Sequence, residues 1–109
     1  MIFSWILLAA AAASPAAKPE AAYPALESCA AQSARNIAVR TRESATIVAD
    51  AAIGACPTQE IAFAKTVFDA FPIDRTGSID AQTTFDFRLA RLKRQLIAVV
   101  LDERAKRGM

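Results

Sequence analysis

Residues 29–56 read CAAQSARNIAVRTRESATIVADAAIGAC, a segment rich in helix-forming residues with a cysteine at each end. On one continuous helix the two cysteines would lie about 40 Å apart. A disulfide requires Cα atoms within about 7 Å of each other, so a bridge inside the chain requires this segment to fold back on itself. The midpoint between the two cysteines falls between Arg42 and Glu43.

Local capping residues predict a helix break at that same point. Thr41 and Ser44 are both good N-cap residues, because their side-chain oxygens accept hydrogen bonds from first-turn N–H groups. A turn here makes an antiparallel helical hairpin with Cys29 and Cys56 level at its open end. We therefore predict a Cys29–Cys56 disulfide within one chain. Two free buried cysteines and a bridge between two chains are the alternatives.

Helical spacing of apolar residues continues on both sides of the hairpin, without an alternating strand pattern of useful length. The pattern predicts an all-α fold, a bundle of three to four helices over residues 25–109 whose first two helices form the disulfide-linked hairpin. Predicted helices cover about residues 25–40, 44–55 and 57–71, and a last helix ends near residue 106. The residues predicted to face inward from the second and third helices are Ile47, Val48, Ala51, Ala52, Ala55, Ile61, Ala64, Val67 or Phe68, and Phe71.

A loop is predicted between the third and last helices, at residues 73–80. Gly77 lies within it, and Asp80 or Thr83 is the predicted N-cap of the last helix. The segment is similar to the middle of an EF-hand calcium loop. However, placing Gly77 at the sixth position puts Pro72 first and Thr83 twelfth, where carboxylates are required. A plain interhelical turn without a metal is therefore the prediction.

The last helix carries two apolar stripes on roughly opposite sides. The first stripe is predicted to face the core and consists of Phe85, Leu89, Leu92, Leu96 and Val99 or Val100. The second apolar stripe consists of Phe87, Ala90, Ile97 and Leu101. One interpretation is a last helix sandwiched inside its own bundle. The other is an association surface for a protein partner or a second copy of the chain.

Charge and composition exclude several function classes. The net charge of +2 is too weak to indicate nucleic-acid binding. The chain has no histidine, which excludes histidine catalysis and histidine metal ligands. We predict no enzyme activity and no cofactor. Basic residues are concentrated after Phe85, but helical angles spread Arg88, Arg91, Lys93 and Arg94 around the axis, so a solvated surface is the prediction. The alternative is a surface that faces anionic lipid or an acidic partner.

The first residues resemble a secretory leader. Residues 2–13 are uncharged and mostly apolar, and as a helix they would span about 18 Å, too short for a bilayer core of about 30 Å. The small residues 11–13 precede Ser14 and predict a signal peptide over residues 1–13. A disordered Pro/Ala-rich lead-in is predicted at residues 14–24. The mature protein is then periplasmic or secreted. One alternative is an uncleaved leader, which would be the only predicted membrane contact. The other alternative is a cytosolic chain.

Two resemblances extend this interpretation. Residues 29–68, with their TRESATIVADAAIGAC core, resemble small exported helical proteins of unknown function from proteobacteria, which implies no activity. Residues 47–68, IVADAAIGACPTQEIAFAKTVF, are similar to the segment around the second cysteine of HdeA-type periplasmic chaperones. That resemblance implies an acid-stress chaperone, although the cysteine spacing here is shorter. The sequence thus supports two hypotheses, an envelope protein-interaction module or such a chaperone.

Overall fold

The computed structural model describes residues 19–72 and 74–109, and the regular structure of these residues is entirely helical. A 3-10 turn at Pro19–Ala21 leads into four helices. The helices are α1 (Ala22–Ala38), α2 (Ala45–Gly54), α3 (Pro57–Asp69) and α4 (Arg75–Lys106). The predicted all-α fold with a disulfide-linked hairpin is therefore confirmed.

The first helix begins earlier than predicted. Helix α1 starts at Ala22 instead of residue 25, and the 3-10 turn starts at Pro19. Pro24 is accommodated because it lies in the first turn, where the backbone N–H has no intrahelical acceptor. The predicted disordered lead-in over residues 14–24 is thus wrong for residues 19–24. Residues 14–18 and the predicted signal peptide 1–13 lie outside the described residues.

The hairpin turn lies where the capping residues predict it. Helix α1 ends at Ala38, and α2 begins at Ala45. The Ser44 hydroxyl accepts a hydrogen bond from the Ile47 N–H at 3.3 Å, which caps α2. Within the turn, the Glu43 N–H donates to the Thr41 hydroxyl at 3.1 Å.

Helix α4 begins before the predicted loop ends. Asp74 caps it by accepting a hydrogen bond from the Gly77 N–H at 2.6 Å, so the predicted caps at Asp80 and Thr83 are wrong. Gly77 lies against the backbone carbonyl of Pro72 and leaves no room there for a Cβ atom. This close approach lets the chain turn sharply between α3 and α4. Because residues 75–83 are helical, this segment forms no EF-hand loop.

The core lies between α4 and the other three helices. Helix α1 contributes a ridge spaced every four residues, and its small side chains let α2 approach closely. The buried residues of α1 are Leu26, Ala30, Ala34 and Ala38. From α4, the predicted core stripe is confirmed by the burial of Leu92, Leu96 and Val100.

The inward sides of α2 and α3 agree with prediction only in part. Helix α2 buries the predicted Val48 and Ala52 together with Ala49, whereas Ile47, Ala51 and Ala55 are exposed. Helix α3 buries the predicted Val67, but it buries Phe63 instead of Ile61, which is 69% exposed. The Phe63 ring faces inward because it packs against two other rings, Tyr23 at 5.0 Å and Phe85 at 5.7 Å between centroids.

Candidate functional site

The predicted disulfide joins Cys29 and Cys56, whose Cα atoms lie 6.2 Å apart. Cys29 lies on α1, and buried Cys56 is the N-cap residue of α3. Pro57 follows as the first residue of α3, where its missing N–H costs no hydrogen bond. The bridge thus fixes α1 to the junction of α2 and α3.

A second link fixes the opposite end of the hairpin. The Arg104 guanidinium donates to the backbone oxygen of Ala38 at 3.0 Å and to that of Thr41 at 2.8 Å. Ala38 is the last residue of α1 and Thr41 lies in the turn after it, so neither carbonyl accepts a hydrogen bond within a helix. Arg104 therefore holds the C-terminal end of α4 against the hairpin turn. Sequence reasoning misses this contact because it joins residues more than sixty positions apart.

The second apolar stripe faces solvent over most of its length. Phe87 is 61% exposed and Leu101 is 56% exposed, and Ala90 is also exposed. Ile97 is half-buried and packs against the core. The interpretation in which the bundle itself covers the stripe therefore holds only for Ile97.

Ile79 extends the exposed apolar side of α4 toward its N-terminus. Ile79 is 59% exposed. At 100° per residue it lies on the same line as Ile97, eighteen positions further along the helix. Helical spacing contains this information, but the predicted start of α4 is too late to include Ile79.

The basic residues of α4 do not form one uniform solvated surface. Lys93 pairs with Asp50 of α2 at 3.0 Å. The half-buried Arg88 guanidinium lies over the Tyr23 ring, 4.4 Å from its centroid. Arg91 and Arg94 are exposed and form no ion pair within the described part of the chain. The predicted solvated surface is therefore correct only for the last two of these.

No family model, curated protein or solved structure matches this chain. The resemblances to exported proteobacterial proteins and to HdeA-type chaperones therefore stay predictions. Among the described helices, none has both the length and the apolar character needed to cross a bilayer. Within residues 19–72 and 74–109, no three His, Cys, Asp or Glu side chains come together as a metal site would require.

The outer side of α4 combines exposed apolar side chains with two arginines whose charges are unpaired in the described structure. Such a surface favours contact with an apolar surface that places acidic groups opposite the two arginines.

Proposed function

We propose that this protein is an exported protein-interaction module that associates through the outer side of α4. One observation carries this proposal: most of the second apolar stripe lies away from the core, with Phe87 61% exposed and Leu101 56% exposed, and Ile79 is exposed beside it. Apolar side chains at this density are unfavourable in water, and association removes them from it.

The occupant we propose is α4 of a second copy, packed antiparallel. In a two-fold arrangement centred on Ala90, a residue of one copy and a residue of the other lie at the same level along the helix axis when their numbers sum to 180. Ile79 then lies level with Leu101 of the other copy, at both ends of the contact. Ala90 lies at the crossing point, where its small side chain permits a close approach of the two helices.

Charge complementarity supports this register. Arg94 lies level with Asp86 of the other copy, and the two-fold axis generates this pair twice. Asp86 is exposed and accepts a hydrogen bond only from Gln82 within the described residues. Arg94 is exposed and has no ion pair there. The cationic Arg94 also comes close to the ring of Phe87 in the other copy, a favourable contact.

Analytical ultracentrifugation with a charge-exchange cycle tests the proposal. We expect the wild type to sediment as a dimer at micromolar concentration. Arg94→Asp and Asp86→Arg each place like charges opposite one another and should shift the protein to monomer. The double variant restores opposite charges and should restore the dimer. A wild type that stays monomeric, or a double variant that fails to recover, would exclude the antiparallel α4 dimer.

Uncharged substitutions on α4 and α3 test whether the exposed apolar side chains of α4 form the contact. Phe87→Gln together with Leu101→Gln should produce a folded monomer, since both side chains are exposed in the single chain. Ile61→Gln changes an equally exposed residue on α3 and should leave the dimer intact. If Ile61→Gln dissociates the dimer as strongly, association does not occur through α4.

We further propose a periplasmic or secreted location. Two observations support it: the leader-like residues 2–13 and the intramolecular Cys29–Cys56 disulfide. Structural disulfides persist mainly in oxidising compartments.

An acid-stress chaperone is the second candidate. It is favoured by the Asp50–Lys93 ion pair, which joins α2 to α4 at 3.0 Å. Loosening of α4 in acid would expose apolar surface to the dye ANS. Asp50→Asn should shift dye binding toward neutral pH. Unchanged circular dichroism without dye binding at pH 2 would exclude this candidate.

A further inference from the structure

A cavity of about 290 Å³ opens where the start of α1, helix α3 and the N-terminal half of α4 meet. Phe63, Val67 and Phe71 form apolar walls, and Tyr23 and Arg88 face them. This volume lies at the lower end of the range for small-molecule sites, which are mostly apolar with few polar groups. The cavity is separate from the second apolar stripe, so a ligand in the cavity does not depend on α4 association.

Arg88 is the cationic group of this cavity. Its guanidinium lies 4.4 Å from the centroid of the Tyr23 ring and 5.6 Å from that of Phe63. Contact with ring faces stabilises the charge but uses none of the five N–H donors. Within the described residues, Arg88 makes neither a hydrogen bond nor an ion pair.

Two other half-buried cations of α4 have polar partners, unlike Arg88. Arg104 directs its N–H groups to two backbone carbonyls, and Lys93 pairs with Asp50. Arg88 is half-buried like them, but it has only aromatic rings beside it. A partly desolvated guanidinium with unused donors is a strong site for a planar anion.

We infer that this cavity binds a small organic monocarboxylate with an aromatic or short aliphatic tail. The carboxylate accepts hydrogen bonds from Arg88, and the tail packs against Phe63, Val67 and Phe71. Both halves of the ligand are needed, because the site offers one cationic group beside mostly apolar walls. Glu20 lines the cavity from its exposed side, where its negative charge disfavours ligands with a second anionic group.

Tyr23 is the only tyrosine of the chain, so one ¹³C-labelled tyrosine gives one ring signal inside this site. We would titrate the full chain with 4-phenylbutyrate, and with 4-phenylbutanol and 4-phenylbutylamine as neutral and cationic analogues. The acid should shift the ring signal in a saturable way. Each analogue should bind at least about tenfold more weakly than the acid. An acid that leaves the signal unmoved, or an alcohol that binds equally well, would overturn the inference.

Variants assign the effect to the residues. Arg88→Gln should weaken binding of the acid about tenfold or more, whereas Arg91→Gln, an exposed arginine on the same helix, should have no effect. Glu20→Gln should strengthen binding because it removes negative charge beside the carboxylate.

A further variant covers the case in which Arg88→Gln disturbs folding. Ala70→Leu retains Arg88 and fills part of the cavity, since Ala70 is one of its lining residues. This variant should also lose binding of the acid. Unchanged affinity in Ala70→Leu would place the ligand elsewhere and overturn the proposal.

Discussion

At the scale of single residues, Arg104 makes the longest-range polar contact that the structure describes. It donates to the carbonyls of Ala38 and Thr41 and so satisfies the end of α1. Arg104→Gln leaves both carbonyls without this donor. We expect a loss of about 1–3 kcal/mol in the free energy of unfolding, measured by urea denaturation.

Lys106 provides the control for that measurement. It lies near Arg104 at the end of the same helix and pairs with Asp102 at 3.3 Å, and both of these side chains are exposed. Exposed pairs of this kind stabilise by less than about 1 kcal/mol, so Lys106→Gln should change stability only slightly. Equal losses for the two variants would mean that the carbonyl contacts of Arg104 contribute nothing measurable.

Two glycines should respond to alanine in opposite directions. At Gly77 an added Cβ atom would overlap the carbonyl oxygen of Pro72, so Gly77→Ala should destabilise the protein by about 1–3 kcal/mol. Gly54 is the last residue of α2, with open space around its Cα. Gly54→Ala should therefore stabilise by up to about 1 kcal/mol. Thermal unfolding of the two variants side by side measures both effects, and a stabilised Gly77→Ala would contradict the close approach.

At the scale of helices, the disulfide holds the α1–α2 hairpin closed. The bridge joins residues 27 positions apart, and closing such a loop stabilises by about 3–4 kcal/mol in the chain-entropy treatment. Replacing both cysteines by alanine should lower the free energy of unfolding by that amount, as measured by urea denaturation, and should preserve the helical circular dichroism.

The intact mass tests whether the bridge lies within one chain. The wild-type monomer should weigh two hydrogens less than its reduced form. A dimer that reductant separates would contradict the bridge within one chain.

The two sides of α4 should differ sharply in their contribution to stability. Leu96 is buried and Leu101 is 56% exposed on the same helix. In solution dilute enough to keep α4 unpaired, Leu96→Ala should cost about 2–5 kcal/mol, and Leu101→Ala less than about 0.5 kcal/mol. Denaturant titration compares the two identical substitutions. Comparable losses would mean that Leu101 is covered in the single chain.

Sequence reasoning locates the hairpin because two local features coincide there. The N-cap residue Ser44 and the midpoint of the cysteine spacing specify the same turn. The inward sides of α2 and α3 are only partly predicted, for two physical reasons. In α2, alanines lie on several sides of the helix, so apolar periodicity hardly distinguishes one side from another. In α3, large apolar residues such as Ile61 and Phe63 lie on opposite sides, so spacing alone does not select the buried one. The start of α4 depends on the close approach of Gly77 to Pro72, which periodicity does not encode.

The candidate sites depend on contacts between distant elements. The second apolar stripe follows from helical angles alone, but its exposure depends on how many helices are available to cover it. The Arg88 cavity is lined by residues from α1, α3 and α4, and no short sequence motif predicts it. A site assembled from three helices can be recognised only after the fold is known.

At the scale of the whole molecule, removal of the leader predicts a change in fluorescence. Trp5 is the only tryptophan of the chain and lies within the predicted signal peptide 1–13. Protein recovered from the periplasm or medium should show tyrosine emission from Tyr23 and no indole emission. Its intact mass should correspond to a chain that starts near Ser14. Indole emission from that material would contradict cleavage.

The positions of the two links along the chain also determine an order of assembly. Cys29 and Cys56 both precede the first residue of α3, whereas Arg104 lies in the last turn of α4. If the chain is exported from its N-terminus, as proposed above, the hairpin would meet an oxidant before α4 is translocated. Disulfide closure would then precede docking of α4, and the Ala38 and Thr41 carbonyls would already be in place when Arg104 binds them. A translocation intermediate arrested before α4 would already contain the disulfide.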